Sequence, residues 1–334
     1  MKKAIILSVI VLLAAAFKSI DSRISTVNPK EIKTAIDKSI PLLQSSDRMF
    51  LENAGTCHSC HHQDLTAITM LLAKGGGHAI NDTIAAETIK SIVSTVKARK
   101  ATSAENNDPV AIIMSGSYSL WALSENNYPA NKSITLMAKN LMQRQTANGS
   151  WVSPNPRPPM EYYAFTATAL VINAINHYVP ASLKEEAAQR IEKAKAWMMK
   201  EVPETNEEKV FQLLGLHWAK GDAAFIQQRA KALLAAQQED GGWSQLDGLP
   251  TDAYATGQSL YALFYAGVDV ADAAFQKGIK YLLRTQHADG SWRIKSRSFP
   301  SVPFVETGFP IGGDQFISAA GSNWATMALL LAER

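Results

Sequence analysis

A seven-residue pattern that occurs three times constrains the fold of this chain most. The pattern is Q-x-x-x-G-x-W, and its copies are Gln145–Trp151, Gln237–Trp243 and Gln286–Trp292. Each copy follows an amphipathic stretch with helical periodicity and precedes a polar or proline-rich loop and then an apolar helical stretch. Internal repeats of this kind are typical of proteins that stack one supersecondary unit many times. The pattern therefore predicts a repeat architecture built from helix pairs.

The three fixed residues of the pattern each suggest a structural role. We expect the glutamine to bond free backbone groups at the end of a neighbouring helix. The glycine allows a tight chain reversal after the helix. The tryptophan is a large plate that can stack on the preceding turn and seal adjacent repeats. These roles predict that the elements hold neighbouring repeats together.

Helical periodicity extends the repeat along the whole chain. The first two tryptophans are about twice as far apart as the last two, so a degenerate repeat is expected between them. Ser182–Lys200 fits its first helix, with a capping box formed by Ser182 and Glu185. Pro41 is expected to kink or restart the first outer helix. The predicted pairs are 29–45 with 59–74, 83–100 with 109–125, 132–145 with 161–177, 182–200 with 206–219, 222–238 with 253–266, and 271–286 with 315–332.

The second helix of each pair has a composition typical of a buried element. These segments are rich in Ala, Leu, Ser and Thr and carry few charges. Helices that are apolar most of the way round are expected to be covered on both sides. The sequence therefore predicts an all-α fold, a single α6/α6 toroid with an inner and an outer ring, and one domain over residues 21–334.

At these residues the sequence resembles a known group. The Q-x-x-x-G-x-W elements are similar to the QW repeats of the squalene–hopene cyclase and protein prenyltransferase superfamily, over about residues 29–334. Ser322–Met327 and Tyr254–Gln258 resemble the starts of that superfamily's inner helices. The resemblance implies an α/α toroid around a central cavity.

The resemblance does not extend to the catalytic motifs of that superfamily. The sequence has no D-x-D-D acid motif of type II terpene cyclases and no D-D-x-x-D motif of type I synthases. Protein prenyltransferases place zinc-binding Asp and Cys before an inner-helix tyrosine, whereas Tyr254 here follows Ala253 and Asp252 is offset by one residue. Neither activity follows from the fold alone.

A second motif, C-x-x-C-H, lies in the stretch Cys57–Gln63 and contains the chain's only two cysteines. This spacing is the attachment signature of covalent c-type haem, with Cys57 and Cys60 forming thioethers and His61 as the axial iron ligand. C-x-x-C-H-H-Q joined to a toroid also resembles a bacterial group of toroid proteins. Possible second axial ligands are Met114, Met160, His217 and Met327.

Two other interpretations of the same motif stay open. Cys57 and Cys60 can form a disulfide or a dithiol redox pair. The two thiolates can also hold a metal ion such as zinc, together with His61 or His62.

The N-terminus is typical of an exported protein. Lys2 and Lys3 precede the apolar run Ala4–Phe17, which is short for a transmembrane helix, so residues 1–20 are predicted to be a signal peptide. An uncleaved membrane anchor is the alternative. The formal net charge of +3 equals the three lysines of this segment. The remainder is neutral, which argues against nucleic-acid binding and predicts a periplasmic or secreted protein with no membrane span after cleavage.

Acidic residues near the inner-helix starts are the remaining site residues. Asp252, Asp314 and Glu161 lie there, where a cap is the ordinary role of an acid. The functional alternative is a general acid with a pKa raised by burial, for which we select Asp252 and Asp314. Residues 57–62 and the loops 152–160 and 293–314 all precede inner helices, so they are expected at one rim of the toroid.

The sequence as a whole predicts an exported toroid with one covalent c-type haem at the cavity mouth. It would act in electron transfer or in redox chemistry on a hydrophobic, isoprenoid-like ligand, with a redox protein or that small molecule as its partner. One alternative is a non-redox terpene-cyclase-like enzyme that uses Asp252 or Asp314 as the acid. Another is a non-catalytic module that binds a lipid or a glycan. Whether the chain is an enzyme stays open.

Overall fold

The computed structural model describes residues 27–54, 59–104, 112–153, 157–298 and 305–334. The predicted signal peptide and Cys57 lie outside these ranges. Helices make up nearly all of the regular structure in the described part. The exception is a short antiparallel pair, β1 (Trp243–Ser244) and β2 (Thr251–Asp252), in which Trp243 pairs with Asp252.

The described helices alternate between an outer and an inner layer. The outer helices are α1 Pro29–Asn53, α3 Asp82–Ala104, α5 Lys132–Gln143, α7 Lys184–Lys200, α9 Ala223–Ala235 and α11 Ala273–Thr285. The inner helices are α2 Leu65–Gly75, α4 Ser117–Glu125, α6 Ala164–Tyr178, α8 Asn206–Trp218, α10 Ala253–Tyr265 and α12 Gln315–Ala332. A π-helical turn precedes α2 (Cys60–Asp64) and another precedes α4 (Ile112–Gly116).

The inner helices form a closed ring. Each packs against the next along the chain, and α12 packs against α2. The Thr166 hydroxyl at the start of α6 bonds Glu207 at the start of α8, and Asn176 near the end of α6 bonds the Trp218 carbonyl at the end of α8. The helices are therefore parallel, and their N-termini share one end of the ring. The predicted all-α toroid is confirmed.

Aromatic side chains fill the centre of the ring. Trp121 on α4 and Tyr261 on α10 come from opposite sides of the ring, yet their ring centroids are only 6.3 Å apart. Trp324 lies 5.8 Å from Trp121 and 5.3 Å from Tyr261, and Phe211 packs edge-on against Trp324. All four side chains are buried. At this level the toroid has a packed core and not an open channel.

The three QW elements have one common geometry. Each indole N–H donates to the carbonyl ten residues earlier, as from Trp292 to Leu282 at 2.9 Å. Each glycine has a positive φ, between 89° and 102°, where an L side chain is strained. Each glutamine amide donates to a neighbouring outer helix and back to the carbonyl of its own glycine. The predicted bridging role is confirmed.

One detail of that prediction is wrong, because the glutamines do not bond free groups at a helix end. Gln145 reaches Arg190, Gln237 reaches Ala274 and Gln286 reaches Ala35, all carbonyls within the next outer helices. An amide N–H₂ donates, and such a carbonyl keeps a second lone pair that can accept it. Since Ala35 lies in α1, the third element closes the outer ring.

Two further expectations about helix ends are corrected. Ser182 forms no capping box, because Ala181–Leu183 is a 3₁₀ turn and α7 begins after it without a side-chain cap. The capping box belongs to α8, where Thr205 and Glu208 bond each other's backbone. Nor does α1 restart at Pro41, which lies inside the helix on its exposed face. There, water can satisfy the carbonyl that proline leaves without a donor.

Candidate functional site

Ionisable side chains are buried at the N-terminal end of the inner ring, which we call the polar rim. Glu207, the second residue of α8, is deeply buried there, with 2% of its surface exposed. The capping box of Thr205 and Glu208 begins the helix, so Glu207 turns inward instead of capping it. Thr166 and Tyr254 donate hydroxyl hydrogen bonds to its two oxygens, at 3.2 and 2.9 Å.

Burial controls the protonation of Glu207. Removal from water disfavours the carboxylate and raises the pKa of Glu207 to about 7, although the hydrogen bonds from Tyr254 and Thr166 lower it. The carboxyl is thus largely protonated up to neutral pH. If it gives up its proton, the same two hydroxyls are placed to stabilise the carboxylate.

A second cluster combines a thiol, an imidazole and a carboxylate. Cys60 and His61 lie on the π-helical turn before α2, and Glu161 precedes α6. The Cys60 Sγ lies 3.4 Å from Glu161 Oε1 and 3.8 Å from His61 Nδ1. One potential ligand atom from each of the three lies within 4.8 Å of the others. Arg157 contacts the second oxygen of Glu161 at 3.5 Å.

The protonation of this cluster follows from its surroundings. Burial raises the pKa of Cys60 well above its usual value, and the carboxylates of Glu161 and Asp64 add to the effect. Burial also lowers the pKa of His61, so the imidazole is neutral near pH 7. A neutral imidazole and a thiol beside a carboxylate form a set that can bind a cation once the thiol loses its proton.

His62 has a different environment from its neighbour His61. Its ring stacks on Phe50 with centroids 5.1 Å apart and meets Phe316 edge-on. Burial lowers the pKa of His62 to about 3, and neither ring nitrogen has a hydrogen-bond partner among the described residues. His62 therefore packs as a neutral aromatic side chain, outside the thiol–carboxylate cluster.

A buried hydroxyl lies on α4, which packs against the turn that carries Cys60 and against α6. Tyr118, at the start of α4, is fully buried, and its OH has no hydrogen-bond partner in the part of the chain that the structure describes. Burial raises the pKa of Tyr118 well above its usual value, with further contributions from Glu207, Cys60, Glu161 and Asp64. Buried hydroxyls are nearly always hydrogen-bonded. An unpaired one beside four ionisable groups marks a place where a further group can bind.

The structure places Asp252 at the same rim but gives its carboxylate other partners. One oxygen caps α10 by accepting the Ala255 N–H at 2.8 Å, and the other accepts from the Gln245 amide at 2.7 Å. Arg297 donates to Gln245 at 2.7 Å. Burial raises the pKa of Asp252 to about 6. The predicted acid role of Asp252 stays a prediction, beside a capping role that the geometry shows.

Asp314 is bound to the loop that precedes α12. Its carboxylate accepts the Ser296 N–H at 2.9 Å and contacts Arg293 at 3.4 Å. Further along, Ser298 donates to the Pro158 carbonyl at 2.6 Å. The two loops predicted at one rim therefore meet there. No contact of Asp314 with Glu207 or Cys60 joins it to the buried clusters.

Of the predicted haem residues, Cys60 and His61 lie at the polar rim and Cys57 is outside the described residues. His217, one possible axial ligand, is in the last turn of α8 and packs on Tyr265, at the opposite end of the inner ring. Met114, Met160 and Met327 are buried. Haem attachment, the redox role and export stay predictions.

Comparison with known proteins agrees with this geometry. Residues 205–334 match the family described as the squalene–hopene cyclase C-terminal domain. A 106-residue segment is 29% identical to a squalene–hopene cyclase of Bradyrhizobium diazoefficiens, covering 28% of this chain and 16% of that relative. The segment thus spans much less than two thirds of the relative's length.

Solved structures resemble the chain over nearly its whole length. The type II terpene cyclase MstE from Scytonema, without ligand, has a TM-score of 0.58 and 12% identity, over 92% of this chain and 99% of that chain. A variant of that cyclase with its substrate, geranylgeranyl dihydroxybenzoate, has a TM-score of 0.57 and 13% identity, over 91% and 98%. A protein from Actinoplanes has a TM-score of 0.56 and 12% identity, over 89% and 100%.

The closed helical ring and these structural matches show the α/α toroid fold, and residues 205–334 share the family model of the squalene–hopene cyclase C-terminal domain. At this level of identity, the structural likeness concerns the fold. Among the described helices, none is long and apolar enough to span a bilayer.

Glu207 is the main residue of the polar rim that the sequence does not single out. Glutamate in the first turn of a helix is ordinary, and Glu207 is followed directly by Glu208, which does form the cap. The available signal is the composition of the inner helices. An acid in a helix that should be covered on all sides must be buried or must cap, and here the cap is already supplied.

Proposed function

We propose that the chain is a terpene-cyclase-like enzyme that acts on a hydrophobic, isoprenoid-like substrate, with Glu207 as the proton donor. The observation that carries the proposal is a buried carboxyl with a pKa of about 7, held by two hydroxyls at the N-terminal end of an aromatic core. The fold of the type II terpene cyclases supports the class of reaction.

The surroundings of Glu207 suit proton transfer to an uncharged acceptor. A general acid is effective when its pKa lies near the working pH, because it is then protonated and still able to give up the proton. The carboxylate left behind would accept hydrogen bonds from Thr166 and Tyr254. The unpaired hydroxyl of Tyr118 offers a further contact to a polar group of the substrate.

The aromatic core below supports the second half of such a reaction. Trp324, Trp121, Tyr261 and Phe211 form one packed cluster, so a substrate would have to displace at least one of these rings to reach their π faces. Aromatic faces stabilise a nearby cation by about 0.5–2 kcal/mol each. An acid of this strength protonates an epoxide more readily than an isolated alkene, so we expect an oxygenated isoprenoid to react faster than a hydrocarbon.

The test is turnover of an isoprenoid panel in D₂O. The purified full chain is incubated with squalene and with its terminal epoxide, and products are analysed by mass spectrometry. We expect a cyclised product from the epoxide, and a cyclic product carrying a single added deuterium if squalene reacts. Glu207→Gln should lower kcat by roughly 10²–10⁴-fold, the usual contribution of a general acid.

Matched variants at the other rim acids separate the alternatives. Asp252→Asn and Asp314→Asn remove the two acids selected from the sequence, and should change kcat much less than Glu207→Gln does. Circular dichroism of each variant reports whether it is folded. Parental turnover in Glu207→Gln, or loss confined to an aspartate variant, would contradict the assignment of Glu207.

A further inference from the structure

We infer that Cys60, His61 and Glu161 form a zinc site at the polar rim, with a fourth position left open. The inference does not depend on the proposed function. Zinc is typically held by thiolate, imidazole and carboxylate ligands, and sites with three protein ligands keep a place for water or substrate. All three ligand types converge here from two separate elements.

The two distances from the Cys60 sulfur to the other side chains are close to the edges of a tetrahedral zinc site. With Zn–S of about 2.3 Å and Zn–N or Zn–O of about 2.0–2.1 Å, the sulfur and a second ligand lie about 3.5 Å apart. The observed separations are 3.4 Å from Cys60 Sγ to Glu161 Oε1 and 3.8 Å from Cys60 Sγ to His61 Nδ1. Only small side-chain adjustments are needed to surround an ion.

The residues around the cluster are arranged as outer partners of a metal site are. Arg157 contacts the Glu161 oxygen that faces away from Cys60, which orients the carboxylate. In metal sites, hydrogen bonds from neighbouring residues hold the ligating side chains in the orientation that binds the metal. Charge also balances, because a thiolate and a carboxylate neutralise one divalent ion.

An independent observation points to a missing group at the same place. The Tyr118 hydroxyl is fully buried and unpaired among the described residues, and its helix α4 packs against the π-helical turn that carries Cys60. A water molecule or a substrate oxygen in the fourth position would give this hydroxyl a hydrogen-bond partner.

The contact between Cys60 and Glu161 is the feature that separates the zinc site from the other interpretations of the motif. The Cys60 thiol is buried and faces Glu161 at hydrogen-bond distance. Haem attached through the C-x-x-C-H motif has no need of Glu161, and neither does a disulfide between the two cysteines. Dependence on Glu161 therefore distinguishes the proposed site from the other interpretations of the motif.

The experiment measures metal in the full chain, expressed with its N-terminal segment in a host able to attach c-type haem. Zinc is quantified by mass spectrometry, and Co²⁺ replaces it for absorption spectroscopy. We expect about one zinc per chain, as in a site with one ion, and a thiolate-to-cobalt band. Cys60→Ser and Glu161→Gln should each weaken zinc binding by more than about 100-fold, the upper range for losing an outer partner.

Two matched variants serve as controls. Glu207→Gln changes a buried glutamate outside the cluster, and His62→Phe replaces the neighbouring ring that stacks on Phe50. Both should keep the zinc and the cobalt spectrum. Thermal unfolding of each variant separates loss of a ligand from loss of the fold. The proposal is overturned if the parent binds no zinc, if Glu161→Gln keeps full affinity, or if a Soret band shows haem at this motif.

Discussion

The QW elements and the polar rim differ in whether their buried polar groups have hydrogen-bond partners that suit them. In each QW element the glutamine amide and the indole N–H have a carbonyl acceptor, and the same bonds recur in all three copies. At the polar rim, a carboxyl and a thiol are buried where burial opposes their charge, and the Tyr118 hydroxyl is unpaired. The QW elements stabilise the ring. The groups of the polar rim lower its stability, and they are the side chains that can transfer a proton or bind a metal.

Removing a QW tryptophan is the most direct test of the stabilising role of the QW elements. Trp292 is fully buried, and its indole N–H donates to the Leu282 carbonyl. Trp292→Ala should lower the free energy of unfolding by about 3–5 kcal/mol, the usual cost of such a cavity. Urea unfolding followed by circular dichroism measures it.

Trp292→Phe is the control for this change. It keeps most of the ring but leaves the Leu282 carbonyl without the indole donor, which should cost about 1–3 kcal/mol. Equal costs for the two variants would mean that the hydrogen bond, and not the buried plate, holds the repeats together.

At the polar rim we expect the opposite effect on stability. Replacing the ionisable carboxyl of Glu207 by a group that cannot ionise should raise the free energy of unfolding near neutral pH. The pKa of Glu207 is about 7 in the folded chain, against 4.5 for an ordinary glutamate exposed to water. Between these values the folded state binds more protons than the unfolded state, so stability falls as pH rises from 4.5 to 7. The two pKa values convert to a loss of up to about 3 kcal/mol.

Glu207→Gln tests that sign. Glutamine can still accept from Tyr254 and Thr166 but does not titrate, so the variant should gain on the parent by up to about 3 kcal/mol between pH 4.5 and 7. Urea unfolding at several pH values measures the difference. The pKa of Asp252 is also raised. Because Asp252 titrates in both proteins, its contribution cancels in the difference between their free energies of unfolding. Parallel curves for parent and variant would show that Glu207 is not held neutral.

The geometry of the QW elements could be predicted from the sequence because each element is set by residues close together in the chain. Gln286, Gly290 and Trp292 recur with the same spacing as their counterparts, and a positive φ at glycine and a buried indole follow from residue types alone. Helical periodicity in the apolar segments is enough to predict the toroid class, although the capping box at Ser182 and a restart of the helix at Pro41 are wrong.

The polar rim could not be predicted in the same way, because ring closure creates it. Cys60 and Glu161 are 101 residues apart in sequence, and Glu207 and Tyr254 are 47 apart. No local pattern states that these pairs meet. Asp252 was recognisable as an acid at a helix start, but only the structure shows that its oxygens are occupied by Ala255 and Gln245.

The smallest expected effect tests whether the third QW element closes the ring. Gly290 has φ +90°, and a Cβ there would lie 2.4 Å from the Lys38 carbonyl of α1. Gly77 has a similar φ of +81°, but a Cβ would meet nothing within 4 Å. Gly77→Ala should therefore cost only the backbone strain, about 1 kcal/mol.

Gly290→Ala should cost that strain and also displace α1 from the QW turn, about 2–3 kcal/mol in total. Thermal and urea unfolding of both variants give the difference, which measures the contact between the last repeat and the first. If the two substitutions lower the free energy of unfolding by the same amount, α1 moves away from residue 290 without cost. The contact at Lys38 then does not stabilise the closure of the outer ring. In that case closure would rest on the inner contact of α12 with α2, and stability would be shared with the helices that carry the polar rim.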